Sequence, residues 1–350
     1  MGSAPYIRTR LLTTDHRPLT TVLVTGATGF VGSRLCRALC AEGFTVRALQ
    51  RATSSRVGLE GLPVESFVGD ILEPATLATA LRDVGLVFHV AAQSAYWRNP
   101  QGVVRAAVEG TRNVVEAAAA AGVRRVVLTS SVGALGVPAD GELLDEQHHF
   151  NLPPRSFPYG YAKHASEQAA LRAAEGRLDL VIVNPSIVLG PGDLNRISGS
   201  IILETARGRA FVSTGGGANY IHVDDLAAGH MAAAERGRPG ERYILGGENL
   251  SHREALSAIA HMVGRRPPWL HLPDATVPLA AGLLDAAGRL VRLPMNGAQM
   301  RISRHRLFCD VSKARGELGF SATRSFSEAA QEAYDWYRAQ GMIPGASTAG

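Results

Sequence analysis

Cysteine is scarce in this chain, and its placement excludes two kinds of structure. Among 350 residues there are three cysteines. Cys36 and Cys40 fall on one face of a predicted helix, Cys309 lies far downstream, and no histidine cluster accompanies them. This pattern excludes a disulfide framework and a zinc site, and it suits a reducing compartment. We therefore expect a cytoplasmic protein without a bound metal.

Long apolar runs are missing as well. No run reaches the roughly 18 residues that a membrane-spanning helix needs, so we expect no span. Residues 1–20 contain Arg8, Arg10 and Arg17 but no apolar core of a secretory signal, which favours a flexible N-terminal extension. The apolar segment 279–293 is too short to span, and we interpret it as a buried helix rather than a membrane-touching one.

The chain has no long block of charge of one sign. It carries 36 lysines and arginines against 31 carboxylates, a net charge of +5. The adjacent basic pairs, Arg124-Arg125 and Arg265-Arg266, have no interleaved aromatic residues. This argues against a nucleic-acid groove, although a mild attraction for an anionic cofactor remains.

Strands and helices alternate through the first half of the sequence. The predicted strands are residues 21–25, 45–50, 64–68, 86–91, 125–129 and 180–183. The predicted helices are residues 30–42, 74–81, 103–121 and the segment around Tyr159. Such alternation predicts βαβ units and an α/β fold, with a doubly wound parallel sheet of about six strands. We assign residues 21–185 to this dinucleotide-binding (Rossmann) domain.

The composition of the sequence changes after Pro185, where glycine and proline become frequent and the predicted helices and strands become short. We expect residues 186–340 to form a smaller, mixed α/β C-terminal lobe that binds the substrate, followed by a tail over residues 341–350. Some segments of this lobe, such as Tyr220–Met231, are expected to return to the first sheet.

A glycine-rich loop joins the first strand to the first helix. Residues 25–32 have the sequence TGATGFVG, which places glycine at positions 26, 29 and 32. The glycines permit a tight turn and a close approach of diphosphate to the backbone, and the helix N-terminus supplies amide donors. In this context the loop predicts a dinucleotide site.

The end of the second strand bears on the choice of cofactor. A site for NAD carries an acid there, which accepts hydrogen bonds from the ribose, but this sequence has Gln50. Arg47 and Arg51 are placed to bind a 2′-phosphate, so we expect NADP, with NAD as the open alternative. Asp70 closes the third strand, where it either accepts from the adenine amine or opens the next loop.

Tyr159 and Lys163 stand four residues apart, so that a phenol and an ammonium share one helix face. A cation beside a phenol lowers its pKa from about 10, and such a tyrosine can exchange a proton with a substrate oxygen. The spacing alone also fits two residues on a solvated helix face.

Six motifs in order resemble the extended short-chain dehydrogenases/reductases, over residues 20–340. They are HVAA at 89–92, TSS at 129–131, YGYAK at 159–163, GPG at 190–192, HVDD at 222–225 and the glycine loop at 25–32. Residues 97–100 and 243–249 are similar to the branch around dihydroflavonol reductases, 3β-hydroxysteroid dehydrogenases and hopanoid-associated epimerase-like proteins.

The resemblance implies roles for three side chains. Tyr159 is the proton donor or acceptor, Lys163 binds the nicotinamide ribose and lowers the pKa of Tyr159, and Ser131 hydrogen-bonds the reacting oxygen. Ser130 is the alternative to Ser131. The cofactor contacts implied are Gly26, Thr28, Gly29, Phe30, Val31, Gly32, Arg47, Arg51, Asp70, Ile71, Ala91, Ala92, Thr129, Tyr159, Lys163, Pro185 and Ile187.

Two departures from the sugar-nucleotide epimerases bear on the substrate. Ile187 and the stretch before the HVDD motif, with Asn219, replace residues that contact a diphosphate in those enzymes. We therefore expect an oxidoreductase acting on a ketone or secondary alcohol of a small hydrophobic molecule, with a nucleotide-sugar epimerase or dehydratase as the alternative. The expected pocket residues are Ser94, Tyr96, Trp97, Phe157 and Tyr220. Relatives also suggest a homodimer.

Overall fold

The structure, a computed structural model, describes residues 20–92, 100–288 and 295–343, without the side chains of residues 100 and 101. Its strands are β1 (Thr21–Thr25), β2 (Thr45–Gln50), β3 (Val64–Val68), β4 (Leu86–His89), β5 (Arg125–Thr129), β6 (Asp179–Pro185), β7 (Ile187–Leu189), β8 (Val212–Thr214), β9 (Gly217–His222), β10 (Arg242–Leu245), β11 (Glu248–Ser251), β12 (Leu270–Leu272) and β13 (Arg306–Leu307). Its α-helices are α1 (Phe30–Ala41), α2 (Ala78–Leu81), α3 (Pro100–Ala120), α4 (Pro158–Ala174), α5 (Ser200–Ala206), α6 (Val223–Arg236), α7 (His252–Met262), α8 (Val277–Ala287), α9 (Gly297–Ile302), α10 (Ser312–Leu318) and α11 (Phe326–Ala339).

Seven parallel strands form the main sheet, in the order β10-β6-β5-β4-β1-β2-β3. Both faces are covered, because successive side chains of a strand point to opposite faces and both are apolar here. Val22 and Val24 pack into one core with α1 and α6, whereas Leu23 packs into the other with α3 and α4. The predicted doubly wound parallel sheet is confirmed.

The seventh strand comes from late in the chain. β10 pairs with β6, and α6 packs on α1 beside the same sheet. The expectation that Tyr220–Met231 returns to this sheet is wrong for its strand, because β9 belongs to a second sheet. The returning strand, β10, has four residues, of which three are apolar, and it is too short for its sheet to be assigned from the sequence pattern.

The second lobe is built around β9. This strand pairs with β7, β11 and β13, and a separate pair joins β8 to β12. Tyr220 of β9 packs edge to face on Phe326 of α11, with ring centroids 4.9 Å apart. The smaller mixed lobe is therefore present, while the boundary at residue 185 stays a prediction.

The segment predicted to be a buried helix is instead exposed. Within residues 279–293, the structure describes α8 up to its end, and Leu279 and Leu283 are 71% and 63% exposed. The prediction failed because α8 is apolar apart from Asp285, so its sequence gives little indication of which face is covered. None of the helices in the described ranges combines the length and the hydropathy needed to cross a bilayer.

A bidentate ion pair joins the two parts of the chain. Arg34 on α1 donates from Nε and one terminal nitrogen to the two carboxylate oxygens of Asp224 on α6, at 2.7 and 2.6 Å. Burial acts to raise the pKa of Asp224, but the Arg34 hydrogen bonds and charge outweigh it and leave this pKa below its ordinary value. Paired bidentate charges of this kind are stronger than neutral hydrogen bonds.

We expect Asp224→Asn to lower the free energy of unfolding by about 1–3 kcal/mol at neutral pH. Because the folded-state pKa is depressed, the stabilisation is present above about pH 4 and is lost as pH falls through the lower, folded-state pKa. Urea unfolding at several pH values would measure the difference. The exposed Asp140→Asn is the control, and a difference between the Asp224 variant and wild type that stayed constant into acid would contradict this account.

Candidate active site

A cavity of about 1430 Å³ lies between the carboxyl edge of the main sheet and the second lobe. The carboxyl ends of parallel strands meet at one edge, which is where doubly wound sheets bind their ligands. Of the predicted site residues, those lining the cavity are Gly26, Thr28, Gly29, Phe30, Val31, Gly32, Arg51, Asp70, Ile71, Ala91, Ala92, Thr129, Ser131, Phe157, Tyr159, Lys163, Pro185, Ile187 and Tyr220.

The glycine loop forms a cradle for an anion at the start of α1. Gly26 has φ +67° and a Cβ there would lie 2.7 Å from the backbone of Ala91, while a Cβ at Gly32 would lie 2.2 Å from the Gly26 carbonyl oxygen. No side chain caps α1, and its first turn holds no acidic residue. The amide donors and positive end of α1 therefore fit the diphosphate of a dinucleotide.

The two arginines predicted for the 2′-phosphate lie in different places. Arg51 lines the cavity just after β2, together with Gln50. Arg47 lies in the middle of β2, where it donates to Glu65 at 3.1 Å and stacks over the ring of Phe67. The prediction for Arg47 is therefore corrected: three residues before the end of a strand, its side chain does not reach the edge where ligands bind.

Asp70 has one of the two roles considered for it, while the contact with the adenine amine stays a prediction. Its Oδ1 accepts from the backbone N–H of Leu72 at 2.9 Å, so the carboxylate orders the turn after β3. The residue also lines the cavity beside Ile71.

Ser131 and Tyr159 are hydrogen-bonded to each other. Ser131 caps a 3-10 turn, Val132–Leu135, and its Oγ accepts from the Gly133 amide at 3.1 Å. Tyr159 lies in the first turn of α4. The two elements pack closely because Gly160 has no side chain: a Cβ there would lie 2.4 Å from the Gly133 carbonyl oxygen.

The structure distinguishes the two candidate serines. Ser131 reaches Tyr159, whereas the hydroxyl of Ser130 is buried and makes no hydrogen bond within the described part of the chain. Adjacent residues of an extended segment point to opposite sides, so one of the two must turn away from the phenol. This geometry favours Ser131.

Lys163 is buried below Tyr159, and its ammonium donates to the backbone carbonyl of Thr129 at 2.8 Å. Burial lowers the pKa of Lys163 to about 8, while the carboxylate of Glu167 acts in the opposite direction. The ammonium is thus held at the end of β5, within the cavity wall.

The expected lowering of the Tyr159 pKa is not found. Burial raises the pKa of the phenol, and the hydrogen bond with Ser131 only partly offsets this. The prediction took the nearby cation into account but not desolvation, which disfavours the charged phenolate. The phenol of Tyr159 therefore keeps its proton near neutral pH.

A buried polar network that no sequence motif indicated supports these groups. Glu167 is fully buried one turn after Lys163 on α4, and its Oε2 lies 2.9 Å from Nε of Arg242 on β10. Asn184 at the end of β6 donates to Oε1 of Glu167 at 2.8 Å and to the Ser131 carbonyl oxygen at 3.0 Å. The network links α4, β6 and β10 to the backbone that presents Ser131.

Two of the five residues predicted to contact the substrate line the cavity, and the other three are not described by the structure. Phe157 and Tyr220 line the cavity, and the Phe157 ring lies 6.2 Å from that of Tyr159. Ser94, Tyr96 and Trp97 lie outside the described residues. The sequence did not predict the lining from the second lobe, which includes Leu194, Ile197, His252, Leu256, Met300 and Ile302. No motif marks these side chains, so no sequence signal could have found them.

The parallel sheet, the glycine loop and the Ser131, Tyr159 and Lys163 group define an NAD(P)-dependent oxidoreductase of the extended short-chain dehydrogenase/reductase type. The sequence profile of the NAD-dependent epimerase/dehydratase family matches residues 22–246, and the chain belongs to that family.

Three relatives show how far the similarity extends. A protein named as a putative dihydroflavonol 4-reductase, from Synechocystis sp., is 39% identical over 334 residues, covering 91% of this chain and 95% of the relative. Sterol demethylase protein B of Methylococcus capsulatus is 35% identical over 331 residues, covering 92% and 100%. The crystal structure of a nucleoside-diphosphate-sugar epimerase from Pseudomonas aeruginosa superposes with a TM-score of 0.79 at 29% identity, covering 93% of this chain and 99% of the other.

We expect Glu167→Gln to leave Arg242 buried without a counter-charge, which costs about 3 kcal/mol of stability. Because the carboxylate also supports the charge of Lys163, its removal lowers the pKa of Lys163 further below about 8. Cofactor affinity, followed by fluorescence titration across pH, should therefore be lost at a lower pH than in wild type.

The matched control is Glu175→Gln, at the exposed C-cap of α4. Turnover in the Glu167 variant should fall by about ten- to a hundredfold, because the Ser131 backbone loses part of its support. A variant with reduced stability but an unchanged pH profile would show a structural role only.

Proposed function

We propose that the chain is an NADP-dependent oxidoreductase that transfers a hydride between nicotinamide and a ketone or secondary alcohol of a small hydrophobic molecule. The observation that carries the proposal is the hydrogen-bonded Ser131–Tyr159 pair above a buried Lys163, in the wall of the cavity. When bound, the nicotinamide supplies or accepts the hydride.

The protein supplies the proton. With its pKa raised by burial, Tyr159 holds its phenolic proton near neutral pH and can donate it to a carbonyl oxygen. The Ser131 hydroxyl is placed to hydrogen-bond the same oxygen and stabilise its developing negative charge. In the direction of alcohol oxidation the phenolate accepts the proton, and the Lys163 ammonium stabilises it electrostatically.

Two features support a hydrophobic substrate rather than a sugar nucleotide. The second lobe contributes apolar side chains to the cavity, including Leu194, Leu256 and Met300. Asn219, which stands where the epimerases carry a diphosphate contact, is buried, and its amide bonds to Gly247 and Asn249 instead. Among similar proteins, the putative dihydroflavonol 4-reductase and a farnesyl-dihydroquinoline-oxide ketoreductase of Stigmatella aurantiaca are named for substrates of this class.

An epimerase or dehydratase of a nucleotide sugar is the second candidate. It is favoured by the likeness to the Pseudomonas aeruginosa epimerase, which covers 93% of this chain. The two candidates differ in stoichiometry, because an epimerase reduces and reoxidises its cofactor within one cycle. Net consumption of NADPH with ketone substrates would support the reductase.

NADP is the proposed cofactor because Arg51 lines the cavity at the end of β2 and Gln50 stands where an acid would exclude a 2′-phosphate. We also propose a cytoplasmic location and a homodimer, and we retain residues 21–185 and 186–340 as the two functional regions of the chain.

Tyr159→Phe should reduce turnover by at least about a thousandfold, because it removes the proton that the reaction needs. Since only the hydroxyl is lost, cofactor binding should remain close to wild type. Turnover is measured by NADPH absorbance in a screen of ketones, steroids and flavonoid-like compounds. Cofactor binding is measured by fluorescence titration. Undiminished turnover would exclude Tyr159 as the acid.

Arg51→Gln should weaken NADPH binding by about tenfold or more while changing NADH binding little, because the 2′-phosphate loses its cation. Arg47→Gln is the matched control, since its guanidinium bonds within the protein on the same strand. Isothermal titration of each variant with NADPH and with NADH measures the two affinities. If wild type prefers NADH, the assignment of NADP is wrong.

A further inference from the structure

Helix α8 exposes an apolar face to solvent. Six positions of the helix are exposed, and five of them are uncharged and fall at helical spacing: Pro278, Leu279, Gly282, Leu283 and Ala286. The helix has one charged residue, Asp285, and the guanidinium of Arg301 neutralises it at 2.6 Å. A surface helix of a globular protein normally turns polar residues outward, so this face is suited to an apolar environment.

The positive charge of the chain is concentrated in the same region. Residues 251–306 contain eight arginines and three carboxylates, which accounts for the whole net charge of +5. The remainder of the sequence is electrically balanced. Adjacent basic pairs do not reveal this concentration, because most of these arginines are separated in sequence.

Two of these arginines lie near the ends of α8. Arg301 on α9 pairs with Asp285 in its last turns. Arg306 donates to the carbonyl of Gly215, and Gly215 lies against the carboxylate of Asp274. Asp274 begins the turn Asp274–Thr276, which leads directly into α8. One arginine therefore lies near each end of the helix, Arg301 paired with Asp285 and Arg306 close to the Asp274 turn.

A second exposed apolar feature lies in the same lobe. Trp269, just before β12, is 74% exposed and stacks on the half-exposed Phe211, with ring centroids 5.8 Å apart. Tryptophan with an exposed ring is enriched at membrane interfaces. The residues next to Phe211, Arg209 and Ala210, line the cavity.

The exposed helix is also connected to the cavity. α8 packs on α9, and Ala298, Met300 and Ile302 of α9 line the cavity from inside. Met295 both lines the cavity and is 38% exposed, so it lies at the rim. Helix α9 thus lies between the apolar face of α8 and the cavity.

A second copy of the chain fits this surface poorly. A helix of 11 residues is about 16 Å long, and its exposed face is far smaller than the roughly 800 Å² per partner of a stable dimer. In a twofold interface the arginines near the helix ends of one copy would also lie beside those of the other copy.

We propose that α8 and the arginines around it dock the protein on the surface of an anionic lipid bilayer. The leucines enter the boundary between headgroups and acyl chains, and the guanidinium groups contact lipid phosphates. The protein lies on the membrane without spanning it. Docking of this kind does not depend on the proposed function, although it would place the cavity beside apolar molecules dissolved in the bilayer.

The test is cosedimentation of the full chain with vesicles of phosphatidylcholine alone and of phosphatidylcholine mixed with phosphatidylglycerol. Wild type should bind the anionic vesicles more tightly, and added salt should weaken binding. Leu279→Ser combined with Leu283→Ser should reduce binding to anionic vesicles by about tenfold or more. Val57→Ser combined with Val68→Ser, at positions 52% and 65% exposed in the first domain, is the control and should bind as wild type does.

Three results would overturn the proposal. They are absence of wild-type binding to anionic vesicles, equal binding by wild type and the α8 variant, and a change of oligomeric state in the α8 variant by light scattering. The last would assign α8 to an interface between copies. Turnover of a water-soluble ketone should be the same in wild type and the α8 variant, so failure of the docking test leaves the catalytic assignment open to its own test.

Discussion

The buried carboxylate of Glu167 is the interaction on which the site depends. A charge removed from water is tolerated only when its partners are in place, and here these are Arg242 from β10 and Asn184 from β6. The same carboxylate supports the ammonium of Lys163, and through Asn184 it fixes the backbone at Ser131. Ser131 and Lys163 are therefore placed by a network anchored in the sheet.

The sequence was sufficient for the features that depend on local pattern. Strand and helix alternation predicted the sheet, and the glycine loop lies at the start of α1 because tight turns and close helix packing require glycine there. The order of six motifs along the chain was enough to indicate the family. These signals are strong because each residue type answers a constraint within a few neighbouring residues.

The features that the sequence did not predict are those set by distant packing. Arg47 and Arg51 have the same chemistry and lie four residues apart. Arg47, within the strand, bonds to other protein groups, whereas Arg51, just after the strand, lines the cavity. The pKa of Tyr159 depends on burial, which spacing does not report. Helix α8 is apolar apart from Asp285, so the pattern could not show that one face is left uncovered.

The order of strands in the sheet has a consequence for synthesis. β6 acquires its outer neighbour only when β10, residues 242–245, has left the ribosome, since the two are adjacent in space but far apart in sequence. Until then the nascent chain holds Glu167 without its guanidinium and β6 with a free edge, a state prone to aggregation. The ribosome thus finishes residues 21–185 well before β10, the last strand of their sheet, is available. A truncation after residue 185 would remove that strand and so divide a cooperative folding unit.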